Sequence, residues 1–196
     1  MTIEQVPEFI RTHYEVLEWK HAIAILSQDF PNEWDDIIDV LTNFRLFKSA
    51  ISKGGGRKSH VAGALDSAFY GKDWKEKKFY TKVVVDDDEM ESPTHSVDCY
   101  KNQVALEMEW NNKDPFFDRD LNNFRLLFEL RAISVGIIVT RCDELQDIFD
   151  DLGRGESYGS STTHMSKLLP RIEGGGGGGC PLVVFGISKK LYKEDS

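Results

Sequence analysis

The chain has 196 residues, of which 40% are hydrophobic and 29% are charged, values that suit one globular domain with a buried core. Three cysteines without C-x-x-C spacing argue against a disulfide framework and a thiolate zinc site, and no apolar run approaches the roughly 20 residues that span a bilayer. The net charge of -9 counts against general nucleic-acid binding, because phosphate contacts need lysine and arginine.

The distribution of charge qualifies that argument. Part of the acidity lies in one run, residues 86–91, where we expect a solvated loop or a bound divalent metal, so the remaining surface is less negative. Residues 1–7 carry one acid, Glu4, and no basic residue, unlike the basic start of a signal peptide, which predicts a cytoplasmic protein with no membrane partner. The five histidines lack H-E-x-x-H spacing, so each is interpreted as solvated or hydrogen-bonded rather than as a metal ligand.

The first part of the chain is predicted to be mainly helical. Residues 9–30 begin a strand or a helix, with a helix favoured over residues 18–28. After Pro31 breaks the chain, Asn32 is a candidate N-cap for a second helix. Helical spacing predicts that this second helix turns a set of apolar residues to the core: Trp34, Ile37, Ile38, Leu41 and Phe44.

A glycine-rich basic segment, residues 54–59, follows these helices. Its glycines let backbone approach a phosphate, and Arg57 and Lys58 are candidate DNA contacts. The segment lacks full P-loop spacing, so no nucleotide cofactor is expected. A short helix over residues 60–70 and a strand over residues 79–85 come next.

The second part of the chain alternates strands with helices. The acidic run and residues 92–93 are expected to form a loop. The further predicted elements are a hairpin over 96–110 with its turn at 101–102, a helix over 118–132, a buried strand over 133–140, a last clear helix over 143–152 and a buried strand over 181–187. Interleaved strands and helices predict an α/β domain with a mixed sheet.

Glycine dominates the segment before the last strand. Residues 153–179 look irregular, and the six glycines at 174–179 cannot form a stable helix or strand. Because a buried strand follows, the glycine run lies inside the domain. We therefore predict one domain over residues 1–196, with a flexible region at 153–180 and a frayed tail at 188–196.

Three acids in the predicted hairpin are candidates for chemistry. Glu107 and Glu109 are two apart on one strand, so they project from the same face, and the hairpin can bring Asp98 beside them. Converging carboxylates repel unless a cation lies between them, and Mg²⁺ prefers oxygen ligands. Such a metal can stabilise a phosphodiester attacked by water and lower the pKa of that water. The alternative, a solvated face of an amphipathic strand, is favoured by the spacing alone.

Residues 97–142 as a whole resemble the BglII/BstYI branch of the PD-(D/E)xK nucleases, which are type II restriction endonucleases. Asp98 and Glu107 fall on the Asp and Glu of that motif, which implies that they bind the catalytic metal. Glu109 falls on the Gln of the branch and the Lys of the superfamily, and Glu there resembles the BamHI arrangement. A carboxylate at this position can hold or deprotonate the attacking water but cannot supply positive charge.

Other blocks extend the resemblance over about residues 10–188. Residues 116–121 resemble the start of the helix after the catalytic strand, and 135–139 and 181–187 resemble core strands. Asp66 stands where the family has an Asn near the scissile phosphate. The resemblance implies a restriction-endonuclease-like central mixed sheet flanked by helices, used as a symmetric homodimer around double-stranded DNA.

The family also places a DNA-reading loop in the irregular region. Hydroxyl groups read either base edge, and an arginine reaches guanine or phosphate. The candidate DNA-binding residues there are Ser160, Ser161, Thr162, Thr163, His164, Lys167 and Arg171. The alternative, a mobile surface loop without a role in binding, stays open.

The resemblance implies a Mg²⁺-dependent endonuclease that cuts a short palindromic, GATC-like site. Two alternatives remain: a DNA-binding module that has lost cleavage, and a related nuclease that acts on another target such as modified DNA. Residues 32–44 and 54–60 are candidate dimer contacts. A two-fold dimer would give each DNA strand its own active site.

Overall fold

The computed structural model describes residues 2–53, 59–92 and 94–195, and its centre is a six-stranded sheet. Its helices are α1 Glu8–His13, α2 Ala22–Asp29, α3 Pro31–Asn43, α4 Lys48–Ser52, α5 His60–Tyr70, α6 Phe116–Glu129, α7 Leu145–Asp151 and α8 Met165–Glu173. Its strands are β1 Tyr14–Trp19, β2 Leu46–Phe47, β3 Lys75–Lys77, β4 Thr81–Val85, β5 Asp88–Ser92, β6 Val97–Lys101, β7 Val104–Met108, β8 Val135–Arg141, β9 Leu182–Ile187 and β10 Tyr192–Lys193. Short 3-10 turns lie at Thr2–Gln5, Gly155–Tyr158 and Lys189–Leu191.

The central sheet has the strand order β1-β9-β8-β7-β6-β3. The three middle strands β7, β8 and β9 are parallel, whereas β1, β6 and β3 each pair antiparallel with their neighbours. Every residue of β7, β8 and β9 is buried, as the β-branched run in β8 predicts for strands covered on both faces. The predicted α/β fold with a mixed sheet flanked by helices is confirmed.

Two apolar clusters cover the two faces of this sheet. The first joins the sheet to buried residues of α2, α3 and α5, and the second joins it to buried residues of α6 and α8. Along β7, Leu106 and Met108 belong to the first cluster and Ala105 to the second. Since side chains alternate along a strand, Glu107 and Glu109 lie on the face covered by α6.

The predicted elements of the core have the expected types, with shifted ends. The helix over 60–70 is confirmed as α5, and the hairpin over 96–110 is confirmed as β6–β7 with its turn at Asn102 and Gln103. The proposed cap at Asn32 is wrong: α3 begins at Pro31, which occupies the first turn, where the missing N–H of proline is harmless.

Three segments contain more regular structure than the sequence predicts. The acidic run is not a loop, because β5 pairs with β4 in a separate two-stranded sheet. The region predicted as irregular contains α8, whose buried residues Met165, Leu168 and Ile172 follow helical spacing. Within the predicted tail, β10 pairs with β2 and Leu191 is buried.

Of the predicted DNA contacts, Arg57 and Lys58 lie outside the described residues. Among the helices that the structure describes, none has the length and apolar character needed to cross a membrane.

Candidate active site

The β6–β7 hairpin places Asp98 beside Glu107. Cys99 pairs with Leu106, so the next residues along the two strands face each other. The amide of Asp98 donates to Glu107 Oε2 over 3.3 Å, and the amide of Met108 donates to Asp98 Oδ2 over 3.1 Å. The structure therefore brings together the two acids that the resemblance assigns to a metal.

Glu109 lies one residue beyond the end of β7. Its amide donates to the carbonyl oxygen of Val139 over 2.9 Å, which continues the strand pairing and fixes its backbone. Its side chain is 1% exposed, and Oε2 accepts a 2.9 Å hydrogen bond from the Asn112 side-chain amide. The third predicted acid is thus buried on the same side of the sheet as Glu107.

Helix α6 adds two charged residues that the sequence reasoning missed. Arg119 donates from Nε and Nη2 to Asp120 Oδ1 over 3.0 and 2.9 Å, and Nη2 also lies 3.5 Å from Glu109 Oε1. Asp120 is fully buried. Its position offers a signal, because it lies between Phe117 and Phe124 on the buried side of the helix, where an apolar residue is expected.

His95 joins the same group from the segment before β6. Its Nε2 lies 3.3 Å from Glu107 Oε1 and 3.2 Å from Asp120 Oδ1. One ligand atom from each of the three residues lies within 4.8 Å of the other two. The cluster therefore combines an imidazole and two carboxylates with the spacing of metal ligands.

Burial and repulsion make this group unfavourable for negative charge. Burial, followed by the charges of Asp120 and Asp98, raises the pKa of Glu107 well above its usual value. Burial, followed by the charge of Asp120 and a hydrogen bond to it, raises the pKa of Glu109 to about 10, although Asn112 and Arg119 act in the opposite direction. A cation placed among these carboxylates would relieve both effects. The buried carboxylate oxygens of Glu107 and Asp120, with the His95 imidazole, fit a divalent metal.

A cleft of about 750 Å³ opens beside these acids. Asp98 and Glu109 line it, together with the positively charged Arg119 and Arg154. Asp66 on α5 is buried, and its Oδ1 lies 3.7 Å from the Cys99 thiol. From the same helix, the Tyr70 hydroxyl lines the cleft and donates to the Asp98 carbonyl oxygen over 3.1 Å.

The candidate DNA-reading segment is divided between surface and interior. Ser160 and Ser161 are exposed, whereas Thr162, Thr163 and His164 are buried. The Thr162 hydroxyl accepts from Arg141 Nη2 over 2.9 Å, and His164 Nδ1 lies 2.7 Å from Asp143 Oδ1. These inward contacts anchor the segment, so among residues 160–164 only the two serines are exposed in this conformation.

The two cations of that segment are held by acids near the start of α6. Arg171 Nε donates to Asp118 Oδ1 over 2.9 Å, and Nη2 lies 3.5 Å from Asp114 Oδ2. Lys167 Nζ lies 4.0 Å from Asp114. Both side chains are partly exposed.

The same segment contacts the chain beyond Glu109. The Asn112 amide donates to Thr163 Oγ1 over 3.2 Å, and the Thr163 amide donates to the Asn112 carbonyl oxygen over 2.9 Å. Asn112 also donates from its side chain to Glu109. One residue therefore connects the candidate reading segment with the acid cluster.

A comparison with known protein families matches the part of the chain that contains the central sheet. The family model described as restriction endonuclease BglII/BglIII matches residues 14–187. That span begins with the first residue of β1 and ends with the last residue of β9. No curated protein matches the chain.

Proposed function

The chain belongs to the BglII/BglIII restriction endonuclease family, and we propose that it is a type II enzyme that uses Mg²⁺ to cut both strands of duplex DNA at a short palindromic site. Family membership itself indicates a site-specific DNA endonuclease. The identity of the metal, the roles of individual residues and the dimeric assembly go beyond family membership and are proposals.

The observation that carries the proposal is the burial of Glu107 and Glu109 beside Asp98 and Asp120. Each of the two glutamates is 1% exposed, and the pKa of each is raised by burial and by its acidic neighbours. Buried charges are retained in proteins when they are paired or bind metal. An arrangement with this cost is difficult to explain as the solvated face of a strand.

We assign Asp98 and Glu107 as the residues that hold Mg²⁺, which takes oxygen ligands and keeps open positions for water and phosphate. When bound, the ion supplies charge stabilisation for the phosphoryl oxygens and lowers the pKa of a bound water. Glu109, whose side chain lines the cleft, orients the attacking water and accepts its proton. Glu109 is competent for this role only when ionised, a state that a neighbouring cation favours.

Arg119 supplies a positive charge that the motif itself lacks. Relatives with Lys at the Glu109 position place a cation there, whereas this chain has a second carboxylate. The Arg119 side chain is 43% exposed, lines the cleft and lies 3.5 Å from Glu109. We propose that its guanidinium contacts the scissile phosphate, for which its planar donor geometry is suited.

Sequence reading is assigned to the segment from Ser160 to Lys167, with Arg171. In the described conformation Ser160 and Ser161 reach solvent, so they make the first base contacts, while Thr162, Thr163 and His164 hold the segment in place or contact DNA after it rearranges. The link through Asn112 offers a path by which correct base contacts align Glu109. Two such sites in a two-fold homodimer would act on the two strands of a palindrome.

Two alternatives to this proposal predict different results in a cleavage experiment. A module that has lost cleavage binds DNA without cutting it, and a nuclease for modified DNA cuts only modified substrate. The protein should be incubated with Mg²⁺ or EDTA and with unmodified and methylated genomic DNA, and the ends should be sequenced.

Fixed ends at one palindrome in Mg²⁺ alone support the proposal. Fixed ends in methylated DNA alone support the modified-target reading. Binding without cutting on either substrate supports the inactive module.

A further inference from the structure

We propose that His95, Glu107 and Asp120 form a second divalent-cation site, which takes a transition-metal ion with affinity for imidazole and shares Glu107 with the Asp98 site. The inference rests on the proposed function, because it assumes that Asp98 and Glu107 hold the first ion. It assigns roles to two residues, His95 and Asp120, that the motif does not contain.

The geometry of the three groups fits a metal site. His95 Nε2 lies 3.3 Å from Glu107 Oε1 and 3.2 Å from Asp120 Oδ1. Two ligands about 2.1 Å from an ion in tetrahedral geometry lie about 3.4 Å apart. The observed separations therefore leave space for an ion bound to all three groups after a small adjustment.

The unsatisfied hydrogen-bonding atoms of the group also support a metal site. Neither His95 Nε2 nor Glu107 Oε1 forms a hydrogen bond with any residue that the structure describes, although the atoms lie close together. Glu107 is 1% exposed, so water satisfies its oxygen poorly. A buried acceptor without a donor is costly, and a bound cation removes that cost.

The two oxygens of Glu107 face different partners. Oε2 accepts the amide of Asp98, whereas Oε1 faces His95 and Asp120. A carboxylate arranged in this way can bridge two ions, as in nucleases and phosphatases that use ions about 3.5–4 Å apart. The second ion would lie on the α6 side of Glu107.

The ligand types distinguish the two sites. Carboxylates and water suit Mg²⁺ and Mn²⁺, whereas imidazole suits ions such as Zn²⁺ and Fe²⁺. A site with two carboxylates and one imidazole therefore also accepts Mn²⁺ through its carboxylates. We therefore expect the His95 site to select a transition-metal ion over Mg²⁺. Asp120 is held in place by Arg119, which donates two hydrogen bonds to its Oδ1.

The test uses Mn²⁺ as the probe and the full-length protein without DNA. Electron paramagnetic resonance measures the number of bound ions, and electron spin echo modulation detects a nitrogen ligand. The wild-type protein should bind two ions per chain with nitrogen coupling. His95→Gln should bind one ion and lose the coupling, and Asp120→Asn should weaken that site at least about tenfold.

Two controls separate this site from other effects. Asp98→Asn should retain the nitrogen-coupled ion, and His21→Gln, which changes an exposed histidine just before α2, should behave as wild type. Circular dichroism of each variant in EDTA establishes that it is folded, and a variant that fails is replaced by His95→Asn or Asp120→Ser.

The outcomes distinguish this inference from the proposed function. Cleavage of DNA with Mg²⁺, together with one bound Mn²⁺ and no nitrogen coupling, would overturn the second site and leave the endonuclease. Nitrogen coupling that disappears in His95→Gln without any cleavage would support the site and contradict the enzyme. Coupling that persists in His95→Gln would place the nitrogen ligand elsewhere.

Discussion

Replacing Glu109 by Gln should make the metal-free protein more stable at neutral pH and reduce the dependence of its stability on pH. The pKa of Glu109 is about 10 in the fold, where burial and Asp120 raise it, whereas a glutamate in the unfolded chain has a pKa of about 4.3. Between these two values the folded state holds a proton that the unfolded state has lost. The free energy of unfolding therefore falls as pH rises through this window, by about 1.4 kcal/mol per pH unit for one proton.

From about pH 5 to about pH 7 this loss amounts to about 2.7 kcal/mol. Glutamine has a similar shape and no proton to lose, so this contribution disappears in Glu109→Gln. A divalent cation should restore part of the stability of the wild-type protein at higher pH, because it favours the ionised carboxylates.

Urea unfolding followed by circular dichroism, in EDTA at several pH values, measures this effect. The decrease in unfolding free energy with pH should be steeper in the wild-type protein than in Glu109→Gln by about 1.4 kcal/mol per pH unit. Glu129→Gln, which changes an exposed glutamate at the end of α6, should keep the wild-type slope. Equal pH slopes of the unfolding free energy for wild type and Glu109→Gln would mean that Glu109 is ionised in the folded protein. That result would refute the inference that these carboxylates need a bound cation.

The remaining predictions concern packing, recognition and assembly. Gly136→Ala should lower the unfolding free energy by about 1–3 kcal/mol in urea, because its added carbon would lie 2.6 Å from the Phe124 ring, and an unchanged stability would contradict the packing of β8 on α6. Thr163→Val should remove the hydroxyl that accepts the Asn112 amide, with a cost of about 1 kcal/mol in stability and slower single-turnover cleavage, whereas wild-type cleavage would break the proposed link. Ser161→Ala should leave stability unchanged but shift cleavage between cognate and single-mismatch duplexes by up to about 1–3 kcal/mol, and an unchanged preference would move the reading role elsewhere. Light scattering should give twice the chain mass, and a monomer both free and with DNA would refute the two-fold assembly.

Regular apolar patterns explain why much of the fold was predictable from sequence. The β-branched run over 133–140 identifies a strand covered on both faces, and the glycine-flanked apolar run before residue 187 identifies its neighbour β9. The hairpin was predictable because its two strands flank a short polar turn. Such segments can be identified locally, because a short continuous apolar run is typical of a strand that is buried on both faces.

Other elements depend on contacts that the sequence does not reveal. The strand β5 is acidic and exposed, and it exists through backbone pairing with β4 rather than through burial of its side chains. Helix α8 was obscured by the glycines after it and by Pro170 within it, although Met165, Leu168 and Ile172 follow helical spacing. Helix α8 was missed because its glycine-rich surroundings were given more weight than this periodicity, whereas the exposed residues 88–91 of β5 show no pattern of burial.

The acid cluster was predictable from the sequence only in part. Asp98, Glu107 and Glu109 lie on one hairpin, so their proximity follows from local geometry. Asp120 and His95 reach the cluster through packing of α6 and of the segment before β6, across 13 and 12 residues of sequence from Glu107. Such distant contacts are set by the tertiary fold, although an acid on the buried side of an amphipathic helix was an available signal.

Glu107→Gln tests the assignment of the active site most directly, because it should abolish DNA cleavage without abolishing DNA binding. Wild-type protein, Glu107→Gln and the control Glu129→Gln should be compared for cleavage of plasmid DNA in Mg²⁺ and for binding of duplex DNA in Ca²⁺. We predict that Glu107→Gln loses cleavage by at least about a hundredfold while it still binds DNA, because a lost metal contact removes charge stabilisation at the phosphate. Cleavage by Glu107→Gln at the wild-type rate would contradict the assignment of this cluster as the active site.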